Sequence, residues 1–407
     1  METVALPAPP SPHGPAAGHG TAGAAPSASL PQLPHGQGAG HGAEEAPLPA
    51  SSSTAERPSA PGHAAAPRPG PSQTSESGPA PATAQELAKL ETHLTNIRQL
   101  TFGGENAEAY WSLDGKRLIL QITKAPFECD QIFTMSADGT DLKMVSTGKG
   151  RCTCAYFFPD GKRIVYASTH LAADACPPKP DYSRGYVWGL YDSYELFSAN
   201  ADGSGIVRLT NHPGYDAEAT ISEDGRKILF TSLRKGDVDL YTMNPDGSGV
   251  KRITRQAGYD GGGFFSPDGS RIVYRASRPR TGTELADWDT LLKDRLVRPT
   301  TLEIQVANAN GSKDRAITTL RAASFAPSWF RDGKRIIFAS NYLDPKGRNF
   351  DLFMIKDDGT GLERVTYNET FDGFPLFSPD GRKLVFASNR NNASPGDTNI
   401  FVADWVP

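Results

Sequence analysis

The chain has 407 residues and a formal net charge of −4, and no basic cluster offers the electrostatic footprint that phosphates require. Nor does any stretch approach the roughly 20 consecutive apolar residues that cross a bilayer. A nucleic-acid role and a membrane-spanning helix are therefore not expected.

From Met1 to Thr101 there is no Phe, Tyr or Trp, and the first lysine is Lys89. Residues 1–84 are rich in Pro, Ala, Gly and Ser, and such a segment buries too little apolar surface to offset the entropy of ordering its backbone. A disordered tail is predicted there, followed by a short helical lead-in over 85–95 and a folded part over 96–407. Met1–Gly14 shows neither the basic n-region nor the apolar h-region of an export signal.

The folded part repeats itself. WSLDGKRLIL at Trp111 recurs as FFPDGKRIVYAS at Phe157, ISEDGRKILFTS at Ile221, FSPDGSRIVYRA at Phe265, WFRDGKRIIFAS at Trp329 and FSPDGRKLVFAS at Phe377. Each reads as a strand end, an Asp-Gly turn and a second, alternating strand. A second motif follows, as in ANADGSGIVRLT and IKDDGTGLERVT, so each repeat carries four short antiparallel strands. Six such units in series predict an all-β, six-bladed β-propeller. The last repeat stops at NIFVADWVP, after its third strand, and NIRQLT (Asn96–Thr101) matches the missing fourth. An N-terminal strand is thus expected to close the last blade and leave no open sheet edge.

The Asp-Gly turns fall on one face of this ring. The second and fourth repeats carry insertions near 169–192 and 278–300, which rise on the opposite face and mark it as the likelier working side. The first insertion holds Tyr182, Tyr186, Trp188 and Tyr191, residue types that dominate interfaces but that also serve to pack a loop onto its support. The second contains a predicted helix within Thr281–Val297, with Leu285, Trp288, Leu292 and Leu296 near helical spacing and Thr283 as a candidate cap.

Aligning the repeats on their first turn aspartate exposes a paired pattern. Asp216, Asp260 and Asp372 stand eight residues before it, and Arg234, Arg278 and Arg390 stand ten after it in the same three blades. Where the Asp is replaced the Arg is replaced too, as with Cys152 and His170. The pairs read either as a charged ring at the channel mouth, holding a cation or a partner's charged tail, or as ion pairs within blades. Glu108 and Glu218, two residues further on, lack a repeated partner and are candidates for free channel carboxylates.

Cys129, Cys152, Cys154 and Cys176 map to one quadrant of the insertion face. Sequence alone leaves three pairings open; a bridge from Cys176 to Cys152 or Cys154 would staple the long loop, and a thiolate–imidazole metal site with His170 is the alternative. No G-x-S-x-G elbow is present, and His212 reads as a turn residue, so no Ser-His-Asp triad is expected. GYDGGGFFS opens no helix and is no phosphate loop.

The SPDG/RIVYAS and ADGSG/RLT repeats, with YDAEATIS and FDGFPLFSPDG, resemble those of the TolB-type β-propeller repeat family, whose architecture is related to WD-type propellers. The resemblance covers about Asn96 to Trp405. It implies a periplasmic location, which agrees with clustered cysteines, with the cytoplasm as the alternative. It also implies a Tol–Pal-like binding role, since TolB binds a peptidoglycan-associated lipoprotein through its propeller channel. The Pro/Ala-rich tail stands where TolB has an N-terminal α/β domain. The expectation is a monomeric, non-catalytic envelope scaffold with no cofactor beyond a channel cation, binding a protein or peptide at the channel-mouth face. The alternative is a peptidase-associated or metal-dependent lyase-like propeller with a channel metal site.

Overall fold

A computed structural model describes Glu86, residues 89–345 and residues 347–407. The predicted tail, and most of the predicted lead-in before Lys89, lie outside the described residues. The remainder forms six four-stranded antiparallel sheets in sequence order. The third blade shows the plan: inner strand Asp216–Ile221, then Ile228–Ser232, Asp239–Met243 and a two-residue outer strand Lys251–Arg252. Between the first two strands, Gly225 takes a φ of 71° that its Asp-Gly turn requires.

Burial explains why RIVYAS-type segments recur. The second strand of each blade is sandwiched between neighbours, and Ile119, Val165, Leu229, Val273, Ile337 and Val385 at its centre are fully buried. In four blades an aromatic on this strand stacks on an aromatic directly opposite on the third: Tyr166 on Phe197, Phe230 on Tyr241, Phe338 on Phe353 and Phe386 on Phe401. Such cross-strand pairs are the unit of sheet stabilisation.

Closure is by the N-terminal strand. Leu94–Gln99 pairs antiparallel with Asn399–Trp405 and completes the last blade. The strand begins two residues earlier than the sequence suggested, inside the expected lead-in. Just beyond it, the Thr101 hydroxyl accepts from the Ile400 amide at 2.9 Å, as Thr210, Thr254, Thr318 and Thr366 do for the third strands of blades two to five. Glu91 ties the same junction down, accepting from Arg390 at 3.1 and 3.2 Å.

The two insertions meet. Trp188–Gly189 and Leu296–Val297 form a small antiparallel pair outside the blades. Helix α1, Gly282–Lys293, leads into it, and Val187, Leu291 and Leu296 form a small core of their own. The helix cap is Thr281 rather than Thr283: Thr281 and Glu284 make a capping box. Of the expected stripe Trp288 is buried and Leu285 is exposed, while Leu291 takes the buried position that the sequence reading gave to Leu292.

Candidate functional site

The channel is built from a local irregularity shared by all six inner strands. Each has a register shift against its neighbour, and at each shift one residue adopts positive φ: Glu108, Cys154, Glu218, Gly262, Ala326 and Phe374. A bulge of this kind re-aims a side chain. All six residues line one small cavity of about 20 Å³, room for roughly one water-sized group. The ring is chemically one-sided, with two carboxyls and a thiol facing Ala326 and Phe374.

Gly262 leaves room for a side chain from the next strand. A Cβ there would lie 2.3 Å from the Arg275 guanidinium, and a Cβ on Gly261 2.4 Å from the Tyr259 hydroxyl. The glycine run is thus spent on packing. Arg275 reaches Glu218, which also accepts from Tyr259 (3.0 Å), Thr231 (2.6 Å) and the Gly262 amide (2.9 Å). Expected as a free carboxylate, Glu218 is instead fully engaged, because burial demands partners for its charge. Burial works against the charge on Arg275, but Glu218 and Tyr259 outweigh it and raise its pKa.

Among the described residues Glu108 has no such ion pair. Burial pushes its carboxyl up to about 7, the Cys154 thiol hydrogen-bonds it, and Glu218 adds repulsion. Burial, Glu108 and Glu218 together raise Cys154 well above an ordinary thiol, so it stays protonated and is a poor nucleophile. Nearer the mouth, burial and Asp130 raise Glu105 to about 7, against the pull of Arg151.

On the turn side the cavity is closed. Tyr110, Tyr156 and Phe264, from blades one, two and four, meet with ring centroids 5.6 to 6.1 Å apart. Blades one and four face each other across the ring, so these contacts cross the axis. Beyond this plug the turn face opens into an apolar funnel of about 80 Å³, lined by Trp111, Phe265, Trp329, Phe377 and prolines. The Glu223–Arg331 ion pair, from blades three and five, spans part of its rim.

On the insertion side the two insertions form a cap. Trp188 packs on Tyr259 (6.2 Å) and under the Arg275 guanidinium (5.1 Å). Tyr191 packs on Tyr194 and donates to the Pro178 carbonyl at 2.6 Å. Both therefore fix the cap to its support. Tyr182 and Tyr186 differ, at 49% and 51% exposed. Arg348, from the opposite side of the ring, lies 5.5 Å over the Tyr186 ring and has no carboxylate partner among the described residues.

The repeated charges sit behind this surface. Arg234 meets Asp216 at 2.6 Å, Arg278 meets Asp260 at 2.5 Å and Arg390 meets Asp372 at 2.8 Å. All three aspartates are fully buried. The pairs join the entry of the inner strand to the exit of the second within one blade, and a ring of free charges is not formed. A second set escaped the sequence reading: Glu195–Arg208, Asp239–Arg252 and Asp351–Arg364 join third to outer strands. Its signal was present, an Arg two residues before the repeated Thr.

The cysteines resolve differently from the staple suggested by sequence. Cys176 bridges to Cys129 of the first blade, not to Cys152 or Cys154, and so crosslinks neighbouring blades. Cys152 occupies the buried Asp position of its blade, and the Ser168 hydroxyl lies 3.1 Å from its sulfur and 2.8 Å from His170 Nδ1. This is the Asp216–Ser232–Arg234 arrangement with other side chains. Among the described residues no three His, Cys, Asp or Glu side chains gather as a metal-ligand set.

The TolB β-propeller domain family model matches residues 189–297. This part of the chain is similar to a TolB-type propeller domain. The TolB homolog of Chlorobium luteolum is 32% identical over 93 residues, 22% of this chain and 19% of that protein, so the match spans about a fifth of the relative's length. The TolB structure from Agrobacterium tumefaciens superposes with a TM-score of 0.50 at 19% identity, covering 76% of this chain and 97% of that one. A gluconolactonase from Xanthomonas campestris gives 0.50 at 15%, covering 78% and 93%. These two likenesses concern the fold alone, and they show that the TolB-like fold also carries enzymes.

Proposed function

We propose that this chain is a non-catalytic binding module of the cell envelope, working outside the cytoplasm and taking a protein or peptide partner at the insertion face. The cap carries this reading. It presents two half-exposed tyrosines, and over one of them lies Arg348, which has no carboxylate partner among the described residues; these are residue types that anchor interfaces. The Cys129–Cys176 disulfide fits an oxidising compartment, and the likeness to TolB supports a periplasmic-type scaffold. No helix among the described residues is long and apolar enough to cross a membrane.

Replacing Tyr182 and Tyr186 by Ala in the full chain is expected to preserve the fold and weaken the partner by about ten-fold or more. Photo-crosslinking from position 186 in envelope fractions identifies the partner, and titration of that protein reads the loss. Equal affinity of the two forms would move the interface elsewhere. A second reading, as an enzyme, draws on Glu108, whose pKa of about 7 suits proton transfer at neutral pH. Turnover of a small substrate abolished by Glu108→Gln would favour it.

A further inference from the structure

The cap is held very unevenly. From Val187 onward it has buried side chains, a strand pair and the Leu190 amide donating to the Arg295 carbonyl at 2.7 Å. From Leu171 to Tyr186 no residue is buried. That segment is fastened by the Asp174 carbonyl accepting from the Gly150 amide, by the Lys149–Asp174 and Arg184–Asp294 ion pairs, by Arg298 donating to the Arg184 carbonyl and Trp188 to the Tyr186 hydroxyl, by Arg348 over the Tyr186 ring, by the Tyr191–Pro178 bond, and by one covalent link, Cys176 to Cys129. Exposed ion pairs contribute little, and a segment without buried apolar contacts opens at low free-energy cost. The disulfide is its one covalent anchor among the described residues. It leads from blade one toward Tyr186, which meets Arg348 on the far side of the ring, and Tyr182 between them lies within electrostatic reach of Arg151 and Glu105 at the mouth above the polar cavity.

We infer that the Cys129–Cys176 disulfide is a redox latch: its reduction frees the 171–186 half of the cap and opens the polar cavity at the insertion face. Cys129 is buried while Cys176 is partly exposed, so an incoming thiolate reaches the Cys176 sulfur. An external dithiol supplies it. Its thiolate attacks Cys176 Sγ, the S–S bond breaks, and Cys129 leaves as a thiolate that takes a proton. The second thiol of the reductant then attacks its own mixed disulfide, releasing Cys176 as a thiol and the reductant as a disulfide. Two electrons and two protons pass to the protein, and no other reactant is needed.

The inference rests on the insertion face being the working face, as proposed above, but its readouts need no partner, so the two can fail separately. The oxidised full chain and the same chain after dithiothreitol are compared by amide hydrogen exchange and by N-ethylmaleimide labelling, with modified cysteines mapped by mass. Reduction is expected to speed exchange in 171–186 and labelling of Cys154 by about ten-fold or more, with the blade strands unchanged. A Cys129→Ala, Cys176→Ala double variant is expected to match the reduced form without reductant. Unchanged exchange in 171–186 and unchanged labelling of Cys154 after the bridge is opened would overturn the latch. So would exchange rising equally in all six blades, which would make the disulfide a global staple.

Discussion

The ring and the channel both bury charge, but they do so differently. In blades three, four and six the same aspartate meets the same arginine in the same place, and the repetition marks a scaffold device. In the channel Glu108, Cys154 and Glu218 stand at bulges that every blade makes but only three fill with polar side chains, and Arg275 reaches in over Gly262 from a second strand. Shared backbone geometry holds the ring together, while unshared side chains give it an individual chemistry. A repeat protein can vary the second without disturbing the first.

The largest effect should come from breaking a scaffold pair. Asp372→Ala leaves Arg390 with Glu91 and the Ser388 hydroxyl at the closing junction and is expected to cost about 3–5 kcal/mol, read as a shift of the urea midpoint. Combined with Arg390→Ala, the loss should fall well short of the sum, and strict additivity would deny the coupling.

An intermediate effect should come from the channel. With a folded pKa of about 7 against 4.5 unfolded, Glu108 keeps its proton in the native state after the unfolded chain has lost it. Stability should therefore fall as pH rises from about 4.5 to about 7 and level off above. Glu108→Gln is expected to flatten that part of the stability–pH curve, by on the order of 3 kcal/mol across the window. A slope equal to that of the parent would show that Glu108 titrates normally.

The smallest effect belongs to the Glu223–Arg331 pair on the funnel rim, about one-third exposed on both sides. Glu223→Gln should change stability by less than about 1 kcal/mol, and the difference should shrink further in high salt. A loss as large as that of Asp372→Ala would make the rim part of the scaffold.

Sequence reached the ring more fully than the channel for a physical reason. Turns, alternation and the Asp–Arg pairing are local or repeated, so one chain aligned on itself displays them. Thr101 was legible because it repeats Thr210 and Thr366. Glu218 was misread as free because its partner, Arg275, comes from a neighbouring blade and has no counterpart to align with. The Cys129–Cys176 bridge was unreadable for a similar reason, since all four cysteines converge on one quadrant and only their three-dimensional positions separate the pairings. The meeting of the two insertions likewise carries no signal in either insertion alone.

The three rings that meet on the axis have one more consequence. A propeller is easily pictured as a pipe, yet Tyr110, Tyr156 and Phe264 turn this one into two bowls set back to back. Phe264 is a wall of both, so a group resting in one bowl leans on a ring that also closes the other.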